Sequence, residues 1–192
     1  MRNIKSITSF VISLLEEGLS PKLTYHNLQH TLDVRDQCII IARKEGIKSV
    51  HALKQLETAA MLHDTGFLYT YKDHEEKGCD IAKQELPKFG ATGKEIEEIC
   101  SLIMATKLPH DPQNLLEEII CDADLDYLGR DDFETISDDL RKEFLEFGIV
   151  KTNEEWHHKQ IQFFETHRYF TKTSIKRRDP LKQKHLLKLK AG

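Results

Sequence analysis

What this chain has little of narrows the field first. No apolar run approaches the about 20 residues that a membrane-crossing helix needs. The nearest, Ile7 to Leu15, is interrupted by Thr8, Ser9 and Ser13. No basic start leads into an apolar middle and a small-residue cleavage site, so no secretory signal is expected. The four cysteines, Cys38, Cys79, Cys100 and Cys121, form no CxxC pair. That argues against a structural zinc knuckle and for free thiols in a reducing cytoplasm. No stretch alternates polar and apolar residues over six positions with β-branched enrichment, so no sheet is expected. The sequence also lacks internal repeats and low-complexity segments.

What is present is a polar chain with enough Leu, Ile and Phe for its own core. Its 192 residues, 39% hydrophobic and 31% charged, favour one domain rather than disorder. The net charge of -4 is unevenly spread. Residues 168–192 carry nine Lys or Arg against one acid, Asp179, leaving 19 basic against 31 acidic residues in the rest. An acidic body with a basic end does not suit a general nucleic-acid binder, whose basic footprint crosses the folded face. No membrane or nucleic-acid partner is expected, and the sequence leaves room for a homo-oligomer.

The hydrophobic periodicity is helical throughout. Ile4, Ile7, Phe10, Val11, Leu14 and Leu15 recur at three- and four-residue spacing and Gly18 follows. The same reading predicts helices over 27–44, 50–63, 73–86, 92–106, 117–127, 132–147, 154–170 and 179–189. Joints are expected at 20–21, 68–72, 107–113 and 171–178. The expected fold is all-α: one compact helical bundle spanning 1–192, with core motifs in 25–129 and a helical extension in 130–192.

Histidine is the residue to follow, since ten occur. In Tyr25-His26-Asn27-Leu28-Gln29-His30-Thr31, His26 and His30 are four apart and share a helix face. In Ala59-Ala60-Met61-Leu62-His63-Asp64, a His-Asp pair ends a small-residue apolar helix, where burial is costly without compensation. In Cys121-Asp122-Ala123-Asp124-Leu125-Asp126, Asp122 and Asp126 share a helix face and Asp124 points elsewhere. Each cluster alone reads equally well as a cap or a hydrogen-bonded polar residue. The last does not fit a calcium-binding EF-hand loop. Together, His30, His63, Asp64 and either Asp122 or Asp124 make a mixed nitrogen and oxygen set for a divalent metal with open positions.

This pattern resembles the HD-domain superfamily of metal-dependent phosphohydrolases, over about residues 25–129. The Tyr-His-Asn-x-x-His-Thr start is also similar to the opening of the class I cyclic-nucleotide phosphodiesterase domain. The resemblance implies His30, His63, Asp64 and an Asp of the Asp-Ala-Asp run as ligands of a divalent metal (Mn, Mg, Fe, Zn, Ni or Co). The family's Ala-Asp context favours Asp124 over Asp122. It further implies His26 as proton donor to the leaving oxygen and Asp64 as the residue that orients the nucleophile, bridging two metals if a second is bound. No counterpart of the phosphodiesterases' purine-clamping glutamine segment is evident.

The implied activity is hydrolysis of a phosphate ester of a nucleotide or similar small molecule. A cyclic-nucleotide phosphodiesterase, a non-catalytic regulatory module and an oxygen-activating di-iron enzyme are the rivals. His74 and His110 are candidates for further ligands or substrate contacts, and Lys77 and Lys107 for phosphate partners. Trp156, Phe163, Phe164 and Phe170 are expected to pack a C-terminal helix onto the core, with an aromatic nucleotide clamp as the lesser reading. The basic end is expected to be a solvated helix face.

Overall fold

The computed structural model describes residues 4–191, and among them the regular structure is helical, with no strand. The helices are α1 (Ile4–Gly18), α2 (Leu28–Lys44), α3 (Val50–Leu62), α4 (His74–Glu85), α5 (Gly93–Ala105), α6 (Leu115–Asp124), α7 (Phe133–Glu146), α8 (Asn153–Thr166) and α9 (Lys172–Ala191). Short 3-10 turns follow α3 at Thr65–Leu68 and α6 at Asp126–Gly129.

Local chemistry accounts for the starts. Asn27, Ser49, Thr92, Asn114 and Thr152 each stand in extended backbone and accept a first-turn N–H through the side chain. Thr92 and Glu95 bond each other's backbone N–H reciprocally, as a capping box does.

At the centre lies α3, whose Leu56, Ala59, Ala60, Met61 and Leu62 are all buried. From Leu56 to Leu62 only Glu57 escapes burial, so this half of the helix lies inside the bundle, and α3 packs against α1, α2 and α5. The stripe Ile7, Val11 and Leu15 seats α1 on this core. A second cluster gathers Tyr25, Leu125, Tyr127, Leu128, Phe133 and Phe164 beneath the C-terminal helices.

Two glycines fix close backbone approaches beside the His-Asp pair. A Cβ on Gly66 would lie 1.9 Å from the carbonyl oxygen of His74. One on Gly78 would lie 3.1 Å from the Leu62 carbonyl oxygen and 3.3 Å from that of His63. The start of α4 therefore sits on the end of α3 with no side chain between them.

The C-terminal boundaries differ from the periodicity reading. The helix expected over 117–127 is broken after Asp124, and its tail forms the 3-10 turn. The helix expected to reach residue 170 stops at Thr166. The joint expected over 171–178 is already helix, because α9 runs from Lys172 through Pro180. Tertiary partners hold that early turn. Thr173 N–H donates to Glu45 Oε1 at 2.7 Å and Ser174 N–H to Thr171 Oγ1 at 3.1 Å. Arg178 Nε donates to Asp126 Oδ1 at 2.8 Å, tying α9 to the turn after α6. Proline suits a first helical position, which is why residue 179 reads as a start in isolation. The basic end is only partly a solvated face, since Ser174 and Lys182 of α9 are buried.

Candidate metal centre

Three elements deliver the site. His30 comes from the first turn of α2, held by Asn27 Oδ1, which accepts from the His30 N–H at 3.2 Å. His63 and Asp64 follow α3 directly. Asp124 is the last residue of α6, turned inward by the break that follows it. Three of their ligand atoms, one each from His30, His63 and Asp124, lie within 4.8 Å of one another.

The fourth residue closes the set. Asp64 Oδ2 is 3.4 Å from His30 Nε2 and 3.2 Å from His63 Nε2. Asp124 Oδ1 is 3.1 Å from His30 Nε2 and 3.4 Å from His63 Nε2. His63 Nδ1 donates to the Ala60 carbonyl at 2.8 Å, so its Nε2 lone pair faces the carboxylates. A histidine whose far nitrogen is tied to a carbonyl is oriented as a metal ligand needs.

The site's electrostatics ask for a cation. His63 Nε2 and Asp64 Oδ2 are buried and have no hydrogen-bond partner despite their proximity. Two acceptors so placed are costly unless a positive centre lies between them. Burial alone would raise the Asp64 carboxyl, but the charge of the neighbouring His63, with His74 and His26 beyond it, holds it well below its usual range. Burial opposes a charged His63, yet the carboxylates of Asp64 and Asp124 raise its pKa well above the usual value. A mixed imidazole and carboxylate set suits a divalent transition metal, so the residues present fit one.

Asp122, two residues away, serves another purpose. It is fully buried and accepts from Phe170 N–H at 2.9 Å, Thr171 N–H at 2.8 Å and Thr171 Oγ1 at 2.7 Å. Burial pushes its carboxyl up to about 6. Asp122 and Asp126 thus both turn toward the start of α9, and Asp124 alone faces the imidazoles.

A cavity of about 510 Å³ opens beside these residues, lined at one end by His26, Asp64, His74, His110 and Asp124. His26 is held from below by Glu143 of α7, which no sequence pattern marked. Glu143 Oε2 accepts from the N–H of Tyr25 at 2.9 Å and of His26 at 3.0 Å, while Oε1 accepts from His26 Nδ1. Tyr71 donates its hydroxyl to the same Oε1 at 2.8 Å. Burial would raise the Glu143 carboxyl, but bonding to His26 and its charge keep it lowered. Phe67 stacks on His26 at 4.2 Å between ring centroids and on His74 at 4.0 Å, while the two imidazoles lie 6.2 Å apart.

The secondary candidates divide. His74 Nε2 lies 3.5 Å from Asp64 Oδ1 and 3.6 Å from Glu75 Oε1, on the side of Asp64 away from the four-residue set. His110 lines the cavity and bonds the Thr106 carbonyl at 3.1 Å. Lys107 lines it too, but is paired with Asp73 at 2.8 Å and with Glu76. Lys77 lies outside the lining, over the Tyr69 ring and 3.7 Å from Asp80. Trp156, Phe163 and Phe164 form part of the cavity wall, whereas Phe170 is not among the lining residues.

Residues 27–126 match the family described as HD domain. A solved structure described as a predicted HD superfamily hydrolase, from an uncultured Thermotogales bacterium, is similar to 95% of this chain over 91% of its own length. Its TM-score is 0.62 at 21% sequence identity, a likeness of fold. No curated protein matches the chain.

Proposed function

Because this chain belongs to the HD-domain family, we propose that it is a metal-dependent phosphohydrolase acting on a phosphate ester of a small molecule, nucleotides included. The observation that carries the reading is the convergence of His30, His63, Asp64 and Asp124, with His63 Nε2 and Asp64 Oδ2 buried and unpartnered beside an open cavity. The solved relative's description as a predicted hydrolase adds support.

In this reading His30, His63, Asp64 and Asp124 hold one divalent ion. Bound there, the ion would polarise the phosphoryl group and lower the pKa of a water molecule toward neutrality. The chain's own residues do the rest. His26 lines the cavity with Nδ1 fixed on Glu143, so its Nε2 is the atom free to give a proton to the leaving oxygen. Phe67, stacked on His26 and on His74, restricts the rotation of that donor. Asp64, whose two oxygens face different imidazoles, aligns the attacking water.

A second reading, cleavage of a cyclic phosphodiester, draws on the oriented His26, since an alkoxide leaving group needs a proton. Metal analysis of the purified protein, followed by a manganese-supported screen of phosphate monoesters, nucleotides and cyclic nucleotides, tests both. Stoichiometric divalent metal and release of phosphate are expected. A metal-free protein that turns over nothing after metal addition would leave only a non-catalytic module.

A further inference from the structure

The cavity lining combines two chemistries. Beside the His-Asp set it carries Asp64, Asp73, Glu75 and Asp124. Leu128, Leu140, Phe144, Trp156, Phe163 and Phe164, from the turn after α6 and from α7 and α8, form an apolar wall. Leu128 and Phe164 are almost fully buried, the polar neighbours Lys159, Gln162 and Thr166 are exposed, and the buried Gln160 gives its amide N–H to Ser137 Oγ. Of the lining lysines, Lys107 is paired with Asp73 and Glu76, and Lys159 is exposed. Additional phosphates, or a ribose and a base edge, would need cations or fixed polar partners along this wall. An apolar wall of this size instead stabilises an apolar group by removing it from water.

We propose that the substrate is the monophosphate ester of an apolar alcohol, with the phosphate beside His30, His63, Asp64 and Asp124, where a bound divalent ion would offset its charge, and the alcohol's hydrocarbon portion against the aromatic wall. This rests on the phosphohydrolase reading. Water adds to phosphorus, the P–O bond to the alcohol breaks, and the departing oxygen takes the proton from His26 Nε2. The products are inorganic phosphate and the neutral alcohol, so no other reactant is required. Apart from Leu128, of the turn after α6, the wall belongs to α7 and α8, and all of it lies outside residues 27–126.

Trp156 is the only tryptophan in the sequence and it lies in the wall, so its fluorescence reports occupancy directly. The experiment compares hexyl phosphate, methyl phosphate, adenosine monophosphate and adenosine triphosphate as substrates of the manganese-loaded full chain. It also titrates the metal-loaded protein with hexylphosphonate and methylphosphonate, which cannot be hydrolysed. Hexyl and methyl alkoxides are leaving groups of like basicity, so their rate ratio reads the wall rather than the chemistry. A kcat/KM for hexyl phosphate at least about 100-fold above that for methyl phosphate is expected, and above both nucleotides. Hexylphosphonate, not methylphosphonate, should change the Trp156 emission. Phe163→Ala, at a half-exposed position, should reduce the hexyl-to-methyl ratio at least about tenfold. Leu140→Ala gives the same reading should the first variant not fold.

Equal rates for the two esters, or preference for either nucleotide, would overturn the proposal and leave the phosphohydrolase reading standing. Hydrolysis of no ester, with hexylphosphonate still read by Trp156 and weakened by Phe163→Ala, would overturn the activity and keep the apolar site. Neither hydrolysis nor a fluorescence response would sink both.

Discussion

The segments α2–α6 and α7–α9 meet at one cavity but contribute to it in different ways. The first brings His30, His63, Asp64 and Asp124, charged groups at or near helix ends whose positions are set by caps and chain breaks. The second brings Glu143 and an aromatic wall from mid-helix positions. It touches the chemistry only through His26 and through whatever fills the cavity. In the proposed reading the labour divides: α2–α6 supply the groups for a cation, while Glu143 of α7 orients the proton donor and the wall of α7 and α8 selects the substrate. Asp122 and Asp124 show the division within one turn, the former fastening the start of α9 and the latter joining the metal set.

Substitutions that respect this division should separate cleanly. The largest effect is expected from His63→Ala or Asp64→Ala: loss of stoichiometric metal by elemental analysis and at least about 10³-fold in kcat/KM. Full metal retention in both variants would break the comparison at its root. His26→Ala should keep its metal yet lower kcat about 10²–10⁴-fold, the range for a general acid. A smaller loss, about tenfold in kcat with metal content unaltered, is expected for Glu143→Gln, as for other residues that orient a working histidine. Glu143 also links the fold to pH. Its folded carboxyl is lowered from an ordinary value of 4.5, so its pairing stabilises the protein above that value. That contribution is lost as pH falls through the folded value, so the melting-temperature gap between wild type and Glu143→Gln should close in acid. Asp122→Asn should change no metal and little activity. It should cost about 1–3 kcal/mol of stability, because the amide presents donors to donors. In a chain of this size that lowers Tm by several degrees, measurable by thermal unfolding.

Much of the first segment was legible because its signals are local. Asn27 announces α2, and in α1 before it the three- and four-residue apolar spacing of Ile7, Val11 and Leu15 is likewise a property of neighbours, whereas the cap at Asn114 starts α6 ahead of the expected residue 117. The acids alternating from residue 122 fall on opposite helix faces by arithmetic alone, though the choice of Asp124 came from resemblance to a family. Glu143 was not legible. It lies 117 residues from the imidazole it holds, in a helix where an acid every few positions reads as solvent-facing. Phe67 was equally silent, since a phenylalanine after a buried helix looks like any core residue. The start of α9 failed for the complementary reason: Pro180 gives a strong local signal, and distant partners at Glu45 and Asp126 overrule it.

The bare α-carbons at Gly66 and Gly78 carry a wider consequence. Where two helices touch through interdigitated side chains, swapping a leucine for an isoleucine shifts their separation by fractions of an ångström. Here the gap between the strip bearing His63 and the one bearing His74 is a main-chain thickness, 1.9 Å and 3.1 Å from an added methyl at its two points of contact. The interior of this bundle can therefore be rebuilt methyl by methyl while the spacing of those two imidazoles keeps its calibration. A single methyl placed on Gly66 would ruin it.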